Sequence, residues 1–142
     1  MSVQTDKEVL EAVRSHGRVR YPEECCGFLL GHFDPEGRKV IVAAEPAENV
    51  RSENRERRYT IAPEDYLVAD REAQKQGLDI VGFYHSHPDH PARPSATDLA
   101  EATFPEFVYV IASINDGQPG DLTAWTLAGD RSAFIEEVID IV

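Results

Sequence analysis

Apolar positions recur at helical spacing near the start of the chain and at strand-like spacing through much of the remainder. Val9, Leu10 and Val13 fall on one face of a helix predicted from Thr5 to about His16, with Thr5 and Glu8 at capping-box spacing and Gly17 as its stop. Cys26 to Leu30 and Lys39 to Ala44 read as short strands, and Asp34-Pro35-Glu36-Gly37 between them has the residues of a hairpin turn. Asn49 to Arg58 is polar and arginine-rich with no apolar period, which predicts a solvated surface loop. Pro63 suits the first turn of a helix that runs to about Gln76 and stops at Gly77. Asp79 to Tyr84 is a strand leading directly into His85.

After a proline-rich loop, Ser95 and Asp98 have capping-box spacing and open a short helix that Pro105 ends. Phe107 to Ile114 and Leu122 to Leu127 read as strands on either side of the turn-rich segment Asn115 to Gly120, while Ser132 to Val142 fits either a strand or a helix. This order of elements predicts an α/β (α+β) fold, a mixed central β-sheet flanked by helices. Residues 1–142 are long enough for a single domain with one sizeable core, and 42% hydrophobic residues is ordinary for a globular chain.

Charge and cysteine usage narrow the field. Twenty-six acidic residues against 14 basic ones give a formal charge of -12, which repels a phosphate backbone and argues against a nucleic-acid partner. No stretch of about 18 apolar residues occurs, and the polar start does not read as an export signal, so no membrane association is expected. Cys25 and Cys26 are adjacent, a poor geometry for a mutual disulfide, which suits a reducing, cytoplasmic setting. With no second cysteine pair, any metal must be held by histidine and carboxylate.

The segment His85-Ser86-His87-Pro88, followed after six residues by Ser95-Ala96-Thr97-Asp98, carries the chemistry. Histidines at i and i+2 of a strand project to the same side, and the stiff proline-containing loop can return Asp98 as a third ligand. Two imidazoles and one carboxylate suit a single Zn2+ ion, with the fourth tetrahedral position left to water. His90 lies in the same loop and reads as an exposed loop residue; His16 and His32 carry no signal. A zinc nucleobase deaminase is set aside, because that chemistry needs Pro-Cys-x-x-Cys and no cysteine follows Cys26. Cys26 is read as a small packing residue rather than a nucleophile.

His-x-His-Pro, six residues, then Ser-x-x-Asp resembles the JAMM (MPN+) zinc metalloproteases, and Glu24-Cys25-Cys26-Gly27-Phe28-Leu29-Leu30-Gly31 is similar to the family's upstream glutamate context. The resemblance runs from about Pro22 to Trp125 and is nearest the compact prokaryotic members, among which a cysteine at the place of Cys26 is frequent. It implies that His85, His87 and Asp98 bind zinc, that Glu24 rather than Glu23 shuttles the proton, and that the Ser95 hydroxyl stabilises the oxyanion. It further implies a peptidase or isopeptidase, deubiquitinase-like or desampylase-like, acting after the Gly-Gly tail of a ubiquitin-like or sulfur-carrier protein. The short chain between Asp98 and Tyr109 leaves little room for the insertion by which eukaryotic relatives grip a ubiquitin pair. A tail lying along an exposed edge beside the His85 strand is expected, and such an edge would also permit a homodimer as well as a monomer. The alternative is a non-catalytic MPN-type interaction module, against which the complete ligand set counts.

Overall fold

The computed structural model describes residues 2–142, with β1 Ser2–Thr5, α1 Lys7–Arg20, β2 Cys26–Phe33, β3 Lys39–Ala47, α2 Pro63–Lys75, β4 Asp79–Pro88, α3 Ala96–Glu101, β5 Val108–Asn115, β6 Gln118–Leu127 and β7 Phe134–Ile141. The strands form one mixed sheet in the order β1-β3-β2-β4-β5-β6-β7, and β1 closes it by pairing in parallel with both β3 and β7. The mixed sheet with flanking helices is as expected; its closure into a barrel depends on β1, a four-residue strand too short to show an apolar period.

Two apolar clusters cover the two faces. Val9 and Val13 of α1 join Leu29, Val81, Tyr84, Val108 and Val110 on one face. Ala69 and Ala73 of α2 join Phe28, Leu30, Phe83 and Tyr109 on the other. In β4 the phase shifts at Val81, where the pairing with β2 jumps from Leu29↔Gly82 to Leu30↔Ile80. The resulting bulge lets Ile80 and Phe83 share the α2 face. His85 and His87 follow Phe83 at period two and therefore also lie on that face.

The structure corrects several expectations. Asp6, not Thr5, caps α1, its carboxylate accepting from the Val9 amide at 2.9 Å, because Thr5 belongs to β1 and its hydroxyl donates to the Ile41 carbonyl. The helix continues through Gly17 to Arg20. Gly17 is a close-packing residue rather than a stop: a Cβ there would lie 2.9 Å from Ile114 Cδ1. The turn before β6 is tighter than expected, with Asp116 and Gly117 both at positive φ (51° and 80°), the conformation that two-residue hairpins demand. Ser132–Val142 is resolved as mainly strand, β7 pairing antiparallel with β6.

The expected free edge beside His85 is absent. Strand β4 continues through His85 to Pro88, with β2 on one side (Cys26↔His85) and β5 on the other (His85↔Ile111). At His85 itself, therefore, neither a tail nor a second copy can add a strand.

Gly82 holds β4 against β5, since a Cβ at that position would come within 2.0 Å of the Val108 carbonyl oxygen. Gly82→Ala is expected to destabilise the fold by about 2–3 kcal/mol through forced displacement of packed backbone, read as a lower denaturant midpoint in equilibrium unfolding.

Candidate metal centre

Three ligand-type atoms meet at the end of β4 and the start of α3. His85 Nε2 lies 3.2 Å from His87 Nε2, Asp98 Oδ2 lies 3.0 Å from His87 Nε2, and Asp98 Oδ2 lies 3.3 Å from His85 Nε2. Both imidazoles are buried, and Asp98 is largely so. A tetrahedral ion with ligands at about 2.0–2.1 Å needs donor atoms about 3.3–3.4 Å apart, close to this triangle.

Hydrogen bonding sets the polarity of the cluster. His87 Nδ1 lies 2.8 Å from the Pro91 carbonyl, which only accepts, so that nitrogen carries the hydrogen and Nε2 is the nitrogen turned toward Asp98. Tyr59 stacks on His85 with ring centroids 4.6 Å apart, so packing orients that ring while its Nδ1 is buried without a partner. Asp98 Oδ2 also accepts from the Ser95 amide at 2.9 Å, and Ser95 Oγ accepts from the Asp98 amide at 3.0 Å, completing the capping box that starts α3. An anionic oxygen and two imidazole nitrogens converging in a buried site suit a cation, which would take all three once the imidazoles are neutral with Nε2 unprotonated.

The carboxyl groups diverge. Burial works to raise Asp98, but hydrogen bonds from His85, His87 and the Ser95 amide outweigh it and hold the carboxylate well below its usual range. Burial lowers His85, partly offset by Asp98. At His87 burial also acts to lower the imidazole, yet the bonds to Asp98 and Pro91 prevail and raise it. Glu24 is 4% exposed, and its Oε1 is buried without a hydrogen-bond partner. That desolvation pushes Glu24 from 4.5 up to about 8, with the opposing pull of His87 the next largest influence.

Glu24 is fixed through its backbone. Its amide donates to the Arg55 carbonyl at 2.7 Å, and Asn49 Nδ2 donates to the Glu24 carbonyl at 3.2 Å. The same Asn49 amide donates to the Arg58 carbonyl at 3.0 Å, while Asn49 Oδ1 accepts from the Arg51 and Thr60 amides. Next to Glu24, the Cys25 amide donates to Ser86 Oγ at 2.8 Å, tying the glutamate to the residue between the two histidines. The segment expected to be merely solvated is thus tethered to the site. Glu24, His87 and Ser95 line a common cleft of about 340 Å3 with Arg57, Arg58 and Arg93. A separate apolar groove of about 520 Å3 includes Tyr59, Ile61, Tyr66 and Phe104. His90 is an exposed lining residue of the first cleft, outside the ligand triangle.

Asn49 and Ser86 were not singled out from the sequence. The partners of Asn49 lie 25 and 9 residues away, and the Cys25–Ser86 bond spans 61 residues, distances at which no local pattern speaks. Ser86 alone had a signal, its place between two histidines on a strand, which sends its side chain to the opposite face.

Residues 6–128 match Prok-JAB, the prokaryotic homologs of the JAB domain. The chain belongs to the Prok-JAB family. Among its relatives, this Prok-JAB chain is 39% identical to a desampylase of Haloferax volcanii over 125 residues, 85% of this chain and 84% of the relative. It is 30% identical to the CysO-cysteine peptidase of Mycobacterium bovis over 138 residues, 95% and 88% of the two chains. A solution structure of a Salinibacter ruber protein is 56% identical and superposes with a TM-score of 0.80, covering 99% of this chain and 92% of that one. The resemblance read from the motifs therefore holds, and the Prok-JAB match extends the stretch from about Pro22 to Trp125 to residues 6–128. No helix among the described residues is long and apolar enough to cross a membrane.

An acid whose pKa is higher in the folded than in the unfolded state stabilises the fold fully below its unfolded value and loses that contribution as pH rises through the folded one. For Glu24 the window runs from 4.5 to about 8. With metal chelated, the wild-type melting temperature is expected to fall across this window relative to that of Glu24→Gln; thermal melts in a pH series that give parallel curves for the two proteins contradict the burial argument.

Proposed function

We propose that this protein is a zinc-dependent peptidase that hydrolyses the amide bond after the C-terminal Gly-Gly of a ubiquitin-like or sulfur-carrier protein. The observation that carries the reading is the convergence of His85, His87 and Asp98 on one point beside a buried, proton-holding Glu24. The names borne by relatives that align over most of their lengths, a desampylase and a CysO-cysteine peptidase, support a carrier-linked substrate.

His85 Nε2, His87 Nε2 and Asp98 Oδ2 would hold the ion. Zinc held there supplies Lewis-acid activation of water and of a carbonyl. Glu24 moves the proton: its carboxylate takes one from the attacking water and returns it to the leaving nitrogen, which needs an affinity poised near neutrality. A pKa near 8 places the group in that range before any cation lowers it. Ser95 Oγ already accepts from the Asp98 amide, so its hydroxyl hydrogen is available to point into the cleft and stabilise the oxygen that gains charge. Cys25 and Cys26 are free and buried, and burial drives both thiols up, so neither supplies a thiolate. A cytoplasmic location accords with two unpaired thiols.

The non-catalytic module has no observation in its favour, because a scaffold has no use for a buried glutamate beside the ligand triangle. With β4 paired on both sides at His85, a homodimer rather than a monomer would have to form through side chains and not by strand addition at that position.

Mass spectrometry of a carrier extended beyond Gly-Gly tests the reading. Wild-type protein is expected to bind one zinc ion and release the extension, and Asp98→Ala to lose the metal. Glu24→Gln should retain zinc but lose about 10²–10⁴-fold in kcat, whereas Cys26→Ser stays active. Zinc bound without cleavage of any such carrier sinks the proposal. Ser95→Ala is expected to reduce kcat by about 10²-fold and to lower stability by about 1 kcal/mol through the lost helix cap, separable by steady-state kinetics and denaturant unfolding.

A further inference from the structure

The loop that joins β4 to α3 is held through three successive backbone carbonyls, each met by a side chain from a different strand. Ser113 Oγ of β5 donates to the His90 carbonyl at 2.6 Å, His87 Nδ1 of β4 lies 2.8 Å from the Pro91 carbonyl, and Thr123 Oγ1 of β6 donates to the Ala92 carbonyl at 2.6 Å. Sheet register brings these side chains together. Ser113 pairs with His87, while Ile111 pairs with His85 on one side and Thr123 on the other, so all of them share one face across β4, β5 and β6.

The direction of the Thr123 bond is forced. The Trp125 indole N–H, which only donates, lies 2.8 Å from Thr123 Oγ1, so that oxygen accepts from Trp125 and its own hydrogen is left for the Ala92 carbonyl. Ala92 is buried between exposed Pro91 and Arg93, which marks the point where the loop is drawn onto the sheet. The start of the loop is anchored too. The Asp89 amide donates to the Ile114 carbonyl at 2.8 Å, and the Asp89 carboxylate accepts from the Asp116 amide and the Tyr21 hydroxyl, each at 2.7 Å.

The two hydroxyls flank the one carbonyl that meets a ligand-type imidazole. Pinning the His90 and Ala92 carbonyls fixes the peptide planes on either side of the Pro91–Ala92 peptide, and the proline ring fixes φ between them, so the Pro91 oxygen has little freedom to turn away from His87. Resting on the metal centre of the peptidase reading, we infer that Ser113 and Thr123 are positioning residues for His87: through the His90 and Ala92 carbonyls they aim the Pro91 carbonyl at Nδ1, and so set how tightly Nε2 holds the ion. Trp125 serves the same end by directing the Thr123 hydroxyl. An imidazole whose Nδ1–H is held keeps the tautomer and ring angle that a cation needs, and partners of this kind are worth about 10–100-fold in metal affinity.

The test measures zinc affinity of the full chain by competition with a chromophoric chelator, and ligand geometry by visible absorption of the Co2+-loaded protein. Thr123→Val and Ser113→Ala are each expected to weaken zinc binding about tenfold and to alter the Co2+ spectrum at saturating metal, while Thr123→Ser retains wild-type values. Thr5→Val is the control. It removes a buried hydroxyl that donates to the Ile41 carbonyl at 3.1 Å on the face covered by α1, and it should leave affinity and spectrum unchanged. Wild-type affinity and spectrum in either folded variant, or equal weakening by Thr5→Val, overturns the inference and leaves the zinc reading standing. Wild-type protein that takes up no zinc overturns both. Neither readout depends on whether any carrier is cleaved.

Discussion

The parallel pairing of β4 with β5 continues residue by residue from Gly82↔Val108 to Pro88↔Ile114, and the position of each group in the site depends on it. Because the chain is still extended at His85 and His87, their side chains share the face of Phe83, His85 between β2 and β5 and His87 beside β5. The same alternation sends Ser86 to the opposite face, beside Gly17 of α1, where its hydroxyl takes the Cys25 amide and so positions Glu24. Had the strand ended with its apolar run at Tyr84, neither the imidazoles nor the glutamate would be set by the sheet. The bulge at Val81 is part of the same device, since without it the histidines would face α1 rather than the loop that carries Asp98.

Two carboxyl groups at one buried site behave in opposite ways because their surroundings differ. Asp98 collects the Ser95 amide and both imidazoles on one oxygen and stays ionised despite burial. Glu24 has an oxygen with no donor at all and is pushed towards the neutral form. An anion held by donors makes a ligand; a carboxyl that gains and loses a proton near neutrality makes a shuttle. This difference in hydrogen-bond supply accords with the division of roles that the resemblance implied.

What the sequence made legible were features whose signals are local. The Ser95–Asp98 capping box, the Pro63 helix and the i, i+2 histidines depend on spacings of a few residues, and each takes the expected form. The failures share one cause, dependence on distant partners. Thr5 looked like a helix cap until Ile41 claimed its hydroxyl for β1, and Gly17 looked like a helix stop until Ile114 packed against it. The polar run from Asn49 carried no apolar period, and nothing local distinguishes a solvated loop from one tied down by a single asparagine. The closure of the sheet was equally hidden, because it is made by four residues of β1 whose pairing partners lie in β3 and at the far end of the chain.

That loop also separates chemistry from selection. The proposed ligands and proton carrier stand on β4, α3 and the start of β2, whereas Arg57 and Arg58 face one cavity and Tyr59, Thr60 and Ile61 line the other. Successive residues therefore line two different cavities, one cationic and shared with Glu24, the other apolar and including Tyr59. Asn49 fixes both halves at once by binding the Arg58 carbonyl and the Thr60 amide. A loop held at its backbone can change the side chains it presents to the two cavities without moving the three residues of the ligand triangle. Tyr59 alone touches both functions, because its ring packs on His85 while it walls the apolar groove, so occupancy of that groove bears directly on the orientation of a metal ligand.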